Sequence, residues 1–140
     1  MTVYHVAVWL HLLAAAVWVG GSVLFAWAAP ALRRAGPGGS EAFRVLGLRF
    51  RSLSWLAVAV LVATGVLFAW WGWDLTKPPL RDKLGLVAVA VVLKAAHDFW
   101  AAPRAARGQL SPGWAVLLAR ANLLALLGIL YAATLLGGTR

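Results

Sequence analysis

The stretch Tyr4–Leu32, YHVAVWLHLLAAAVWVGGSVLFAWAAPAL, decides the fold class of this chain. Residues 1–32 contain no Asp, Glu, Lys or Arg. A run of this length exceeds the core helices of soluble domains, and about 20 apolar residues suffice to cross a bilayer. Its apolar residues lie on all sides of a helix rather than along one stripe. The stretch therefore predicts a membrane-spanning helix.

The composition of the whole chain points the same way. Of 140 residues, 63% are hydrophobic and 12% are charged, with a mean hydropathy of +0.83. An ordinary soluble domain has roughly 25% charged residues, so a soluble globular protein and a disordered tail are both excluded. Cysteine is absent, which excludes disulfides, thiolate metal sites and a Cys nucleophile. The scarcity of Asn, Gln and Met is typical of thermophile proteins, and equally of any chain rich in Ala, Leu, Gly and Arg.

Three further apolar stretches follow the first. The four spans are predicted at about 4–32, 53–73, 83–102 and 114–136. Pro30 and Pro103 are expected to close the first and third spans, because proline interrupts helical hydrogen bonding. Trp70, Trp71 and Trp73 resemble an interfacial aromatic belt. We expect an all-α protein in which residues 1–140 form a single transmembrane domain, an integral membrane four-helix bundle.

Lys and Arg are distributed unevenly about these spans. Eight of the thirteen lie in or beside the first and third connections: Arg33, Arg34, Arg44, Arg49, Arg51, Arg104, Arg107 and Arg120. The other side has Lys77, Arg81, Lys83 and Arg140. This bias predicts that both termini lie outside, in a bacterial or archaeal cytoplasmic (inner) membrane. No aromatic-interleaved basic stretch indicates nucleic acid, so the expected partner is the lipid bilayer.

Ionisable side chains inside spans are costly and are candidates for function. His11 lies about two turns into the first helix and shares a face with Ala15, Trp18 and Ser22. We expect this face to point into the bundle. A neutral imidazole there can bind a metal or heme iron, or carry a proton, and the alternative is a hydrogen bond to a carbonyl of a neighbouring helix. His5 lies on another side of the helix and is expected to be a solvated headgroup-level histidine.

The third span carries a second polar group. Lys94 and Asp98 are spaced i,i+4, so they can pair and lower the cost of burial. A structural ion pair and a functional one remain open alternatives. His97 is a weaker candidate metal ligand. An offset of about 10 Å along the membrane normal separates it from His11 and argues against one shared ion within one chain.

Two cofactors are compatible with His11. If it binds heme iron, the propionates would reach cations at the outer end, such as Lys83 or Arg81, and Trp18 would lie beside the porphyrin. Copper is the alternative. Cu(I) prefers thiolate and thioether ligands. This chain has no Cys, and its single Met is Met1, so a copper site would depend on histidine.

Short motifs resemble known membrane families. The stretch from His11 to Trp18-Val-Gly-Gly21 is similar to the copper resistance D (CopD-like) family and to the related heme-containing membrane protoporphyrinogen oxidase (HemJ-like) family. Further matches are Pro30 with Arg33-Arg34, Arg49-Phe-Arg51, Lys83-Leu-Gly-Leu-Val and Arg120-Ala-Asn122. The copper branch implies metal movement across the inner membrane with His11 as a contact. The oxidase branch implies heme b on His11, with Lys83 matching a functional lysine.

The expected function is heme b binding through His11 with a redox or heme-handling role, which includes a heme-dependent oxidoreductase. Copper ion transport or resistance is the first alternative. A non-catalytic helper subunit, in which Lys94 and Asp98 hold a helix interface, is the second. The expected partners are a redox partner or a quinone and, in a homo-oligomer, further copies of the chain. No catalytic residue is identified.

Overall fold

A computed structural model describes residues 2–72 and 78–137, apart from the side chains at positions 79, 136 and 137. These residues are helical and contain no strand. The elements are α1 (Val3–Arg34), α2 (Gly36–Trp70), α3 (Pro78–Ala95), a π-helical turn (Ala96–Ala101), α4 (Ala102–Ala106) and α5 (Pro112–Gly137). The predicted all-α class is confirmed.

Within residues 2–72 and 78–137, four helical stretches are long and apolar enough to cross a membrane: Val3–Arg34, Gly36–Trp70, Leu80–Ala106 and Pro112–Leu135. Large apolar side chains are exposed along them, among them Trp27, Val92 and Leu124. Such exposure is unfavourable in water and expected in lipid, because lipid tails are as apolar as leucine. The chain therefore has the architecture of a multi-pass membrane protein.

The described residues fall into two compact units. The first hairpin consists of α1 and α2, and the second hairpin consists of α3, the π-helical turn, α4 and α5. Small residues dominate the buried positions of both, among them Ala7, Ala14, Ala57, Ala90, Ala101, Ala125 and Ala132. Small side chains let helix backbones approach closely, which is how helices associate in membranes.

A one-residue connection joins the two helices of the first hairpin. Ala35 separates α1 from α2, and its backbone N–H donates to the carbonyls of Ala31 and Leu32 at 3.2 and 3.3 Å. Gly36 follows with φ +79°, a conformation that L side chains rarely adopt. A Cβ at Gly39 would overlap the Leu32 carbonyl oxygen. Glycine is therefore required at both positions for so tight a turn.

The second helix begins much earlier than the predicted span 53–73. It starts at Gly36, so Arg44, Arg49 and Arg51 lie on a helix rather than in a loop. Arg44 and Glu41, three positions apart, form a two-point salt bridge with N–O distances of 2.8 and 2.7 Å, which supports this helical extension. At 1.5 Å per residue the helix is about 50 Å long, longer than a hydrocarbon core of about 30 Å. Trp73, the end of the predicted span, lies outside the described residues.

Neither proline closes its helix as expected. Pro30 lies inside α1, which continues to Arg34. Pro103 follows the π-helical turn, and helix continues to Ala106. A proline ring collides with the carbonyl four residues before it, and a wider turn relieves that collision. Helices in membranes tolerate proline where local adjustments satisfy the freed backbone groups.

The second hairpin packs α3 and the π-helical turn against α5. Gly128 of α5 lies opposite Leu86 of α3, and a Cβ at Gly128 would contact Leu86 Cδ1 at 3.4 Å. This contact fixes the antiparallel register. Counting six residues from Leu86 along α3, and six from Gly128 along α5, towards the connection between the two helices leads to Val92 and Asn122. These two residues therefore lie at about the same level. Asn122 is therefore close in depth to Lys94.

Candidate functional site

His11 of α1 forms a hydrogen bond across the first hairpin to α2. Its Nδ1 is 2.7 Å from Oγ1 of Thr64, which is buried. The Thr64 hydroxyl donates to the carbonyl of Val60 one turn earlier, at 2.7 Å. A hydroxyl has one proton to donate, so with that proton on the Val60 carbonyl the donor to Thr64 Oγ1 is His11 Nδ1–H. The lone pair of the neutral imidazole is then on Nε2.

An aromatic ring of α2 packs beside this imidazole and belongs to a larger aromatic cluster. The Phe68 ring centroid is 5.4 Å from that of His11, with the planes tilted by 59°. Phe68 is one turn beyond Thr64, so both side chains face α1. Tyr4 and Trp71 extend the cluster, with centroids 6.0 and 6.2 Å from that of Phe68. The hydroxyl and Phe68 together restrict rotation of the His11 ring.

The face of α1 that carries His11 is covered along its length. His11, Ala15 and Ser22 are half-buried, and Trp18 is 3% exposed. The Ser22 hydroxyl donates to the Trp18 carbonyl at 2.7 Å, so it is satisfied within its own helix. Trp18 lies two turns beyond His11 on the same face. The polar and small residues of α1 thus lie on a packed side of the helix.

His5 belongs to a different environment. It is exposed, and its Nδ1 is 2.6 Å from Thr2 Oγ1 at the start of α1. Its ring is 6.0 Å from that of Tyr4 in an edge-on arrangement. The first hairpin therefore holds two histidines: His5 is bonded to Thr2 beside its own helix, and His11 is bonded to Thr64 of α2.

The second hairpin contains a cluster of three ionisable side chains, two of which are buried. Lys94 Nζ is 2.8 Å from Asp98 Oδ2, and His97 Nδ1 is 2.8 Å from Asp98 Oδ1. Lys94 and Asp98 are 6% and 7% exposed, whereas the His97 side chain is 31% exposed. Asp98 therefore bridges the lysine and the histidine. A buried charge persists only when it is paired in this way.

The bond between His97 and Asp98 has no sequence signal. Neighbouring residues of a regular α-helix do not face each other, but this pair lies in the π-helical turn. Such turns are rare and occur frequently at functional sites. Pro103, shortly after the turn, is the one indication of an irregular helix in the sequence.

Asn122 of α5 adds a buried amide near the same level. It is 8% exposed, and its Oδ1 is a buried oxygen without a hydrogen-bond partner among the described residues. Arg120, two residues earlier, is exposed. The buried polar side chain of this helix is thus Asn122.

The remaining candidate residues lie at the start of α3. The Lys83 side chain is half-buried, and the Arg81 side chain is 74% exposed, with Nε 4.0 Å from Asp82 Oδ1. Both belong to the second hairpin, whereas His11 and Trp18 belong to the first. Among the candidate residues that the structure describes, Lys94, His97 and Asp98 are the ones that contact one another.

Residues 2–72 and 78–137 contain no group of three or more His, Cys, Asp or Glu side chains placed to hold a metal ion. His11 and His97 each have Nδ1 bonded to a side chain that is at least partly buried, Thr64 for His11 and Asp98 for His97. Histidines that bind metals characteristically have such a bond on the other ring nitrogen.

Comparison with known proteins gives one family relationship. No model of a protein family and no solved structure matches the chain. A protein of Aquifex aeolicus (strain VF5), described as "Uncharacterized protein", is 31% identical over 124 residues. The match covers 87% of this chain and 87% of the relative. At this identity and coverage the two share a fold over nearly their whole length, and the chain belongs to the same family as this Aquifex aeolicus protein.

Proposed function

We propose that the chain is a small multi-pass membrane protein that binds heme b through His11 Nε2 and has a redox or heme-handling role. The observation that carries the proposal is the 2.7 Å hydrogen bond between His11 Nδ1 and Thr64 Oγ1. Donation from Nδ1–H would leave the lone pair on Nε2, and the bond orients the ring. A histidine that binds heme iron characteristically has such a partner on its other ring nitrogen.

The donor set of the chain suits heme better than a bare ion. A bare ion needs several protein ligands, and the described residues contain no group of three that would supply them. Heme iron is already held by its porphyrin, so a single side chain of the chain, His11, would be enough to hold the group. When bound, heme b would supply one-electron transfer. The resemblance of the His11 to Gly21 stretch to the heme-containing branch supports the same assignment.

The neighbours of His11 have separable roles in this proposal. Thr64 accepts the Nδ1 proton and orients the ring. Phe68, 5.4 Å away, packs against the imidazole and keeps water from the ring face. Since Thr64 is uncharged, it leaves His11 a neutral ligand, which corresponds to the histidine ligation of b-type hemes.

The test is an optical titration of the purified protein with heme in detergent. We expect a Soret band for the unaltered chain and its loss in His11→Ala. His5→Ala is the matched control, because His5 is exposed on the same helix, and it is expected to keep the band. Thr64→Val retains the shape of the side chain but cannot accept the proton. We expect it to weaken heme binding about 10- to 100-fold, the usual effect of losing such a partner.

Three outcomes would contradict the proposal. One is a wild-type protein that shows no Soret band with heme supplied. Another is a His11→Ala variant that binds heme as tightly as the unaltered chain. The third is stoichiometric copper in place of heme by elemental analysis, which would favour copper transport or resistance.

A further inference from the structure

The first hairpin has an apolar cavity near its basic end. It has a volume of about 150 Å³ and is lined by Leu24, Phe25, Ala28, Leu32 and Leu46. No polar atom contributes to its surface. Leu24 and Leu46 are 59% and 52% exposed, so the wall of the cavity is continuous with the outer surface of the hairpin. A short run of methylene groups fits a space of this kind.

The same end of the hairpin has unbalanced positive charge. Residues 2–72 contain a single carboxylate, Glu41, and its two oxygens are already bonded to Arg44 at 2.7 and 2.8 Å. Four other arginines have no carboxylate within this hairpin to pair with: Arg33, Arg34, Arg49 and Arg51. This region therefore has positive charge available to bind an anion.

Aromatic rings lie between the Arg33 guanidinium and the cavity. The Arg33 guanidinium lies over the Phe43 ring, 5.2 Å from its centroid. The Phe43 centroid is 5.9 Å from that of Phe25, which lines the cavity. Phe25 in turn stacks on Phe50 at 4.9 Å. The cationic group is thus held one ring away from the cavity wall.

We propose that this end of the first hairpin binds an anionic phospholipid, with part of an acyl chain in the cavity and the phosphate on Arg33 and Arg34. The ligand must be an amphiphile, because the apolar cavity and the unpaired arginines are adjacent. It must be anionic, because the one carboxylate of the hairpin is already bonded. A bilayer supplies such a molecule at the level where the apolar part of α1 meets Arg33.

This site is independent of the proposed heme site. It uses no residue that contacts His11. Basic residues beside spans also have a role in topology, but that role needs neither a cavity nor a preference for one lipid over another. The experiment therefore measures both the headgroup preference and its dependence on the cavity.

The test is competitive lipid retention, measured by native mass spectrometry. Delipidated protein is incubated with equal amounts of phosphatidylglycerol and phosphatidylcholine that have the same acyl chains. The unaltered chain is expected to retain phosphatidylglycerol in excess. Each arginine near a membrane surface contributes about fivefold to the binding of an anionic lipid. We therefore expect the double variant Arg33→Gln/Arg34→Gln to lose most of the preference.

Ala28→Phe fills the cavity and leaves every charge in place, and we expect it to lower phosphatidylglycerol retention severalfold. Its control is Ala26→Phe, which adds the same ring at an exposed position two residues away. The charge control is Arg104→Gln/Arg107→Gln, which removes two arginines from the second hairpin. Both controls are expected to retain the lipid as the unaltered chain does. Circular dichroism verifies that each variant is folded.

Equal retention of the two lipids by the unaltered chain would overturn the proposal, and this measurement requires no variant to fold. Full retention in Ala28→Phe would also overturn it, because charge alone would then hold the lipid. A loss of equal size in the Arg104/Arg107 control would show that total charge, rather than the cavity end of the first hairpin, determines retention.

Discussion

Replacing Gly21 by alanine tests the packing of the first hairpin at one point. A Cβ at Gly21 would lie 2.6 Å from Phe50 Cζ and closer still to Cε2, distances that real Cβ atoms do not show. Phe50 would have to move, and its ring is stacked on Phe25 with an interplanar angle of 20°. At the adjacent Gly20, a Cβ meets nothing within 4 Å. The two neighbouring glycines therefore provide a matched pair.

The expected loss of stability is the difference in the free energy of unfolding between the two variants. In both, alanine gains the same helix propensity over glycine, about 1 kcal/mol, so this contribution cancels. Gly21→Ala alone adds overpacking, which typically costs about 1–3 kcal/mol. Loss of the ring stack adds about 0.5–1.5 kcal/mol. We expect Gly21→Ala to be less stable than Gly20→Ala by about 2–4 kcal/mol.

The assay is reversible unfolding in mixed detergent micelles, followed by circular dichroism. A Phe50→Leu background removes the ring that the new methyl group would meet, so the difference between the two alanine variants should shrink there. Such coupling is the signature of direct contact. If Gly21→Ala and Gly20→Ala unfold at the same point, or if Phe50→Leu leaves their difference unchanged, the packing of α1 on α2 inferred here is wrong.

Two further predictions concern the second hairpin. Asp98→Asn leaves Lys94 buried without its carboxylate, so we expect a loss of stability of about 3–5 kcal/mol in the same unfolding assay. The double variant Lys94→Met/Asp98→Asn should recover part of that loss, and a double variant less stable than Asp98→Asn would contradict the pairing. Asn122→Leu replaces a buried amide whose Oδ1 has no partner among residues 2–72 and 78–137 by an apolar side chain of similar size. We expect stability to be unchanged or to rise by about 1 kcal/mol, whereas a clear fall would reveal a partner of that oxygen.

The membrane-spanning helices could be predicted from the sequence because their signal is long and redundant. Twenty or more apolar residues give the same answer when any one of them is changed. The helix ends could not, because they depend on single residues. Pro30 and Pro103 were expected to end helices, yet α1 passes through the first and a π-helical turn accommodates the second. The polar segment from Gly36 to Ser52 is helical for local reasons that an apolar count ignores.

The sequence predicts a candidate residue when its own chemistry identifies it. It does not predict a contact between two residues that are far apart in the chain. His11 is identifiable as an imidazole in an uncharged span. Its partner Thr64 is not, because the pairing of residues 53 positions apart depends on the register of α1 on α2. One signal did exist: Thr64 and Ser54 are the two hydroxyl residues between Leu53 and Trp73. The Lys94–Asp98 pair is local in sequence, and its spacing alone predicted it.

The stretch from His11 to Gly21 is best understood as one structural unit. His11 contacts Thr64, and Gly21 accommodates Phe50, so α1 is fixed to α2 at two points about 15 Å apart along the helix. A slip of one helical turn would displace Thr64 from the imidazole by about 5.4 Å and would place a residue with a large side chain against Phe50. The glycine that permits close packing therefore also maintains the bond that orients the histidine. It follows that Gly21→Ala should weaken the heme binding proposed for His11 without altering any side chain that contacts His11, whereas Gly20→Ala should leave it unchanged.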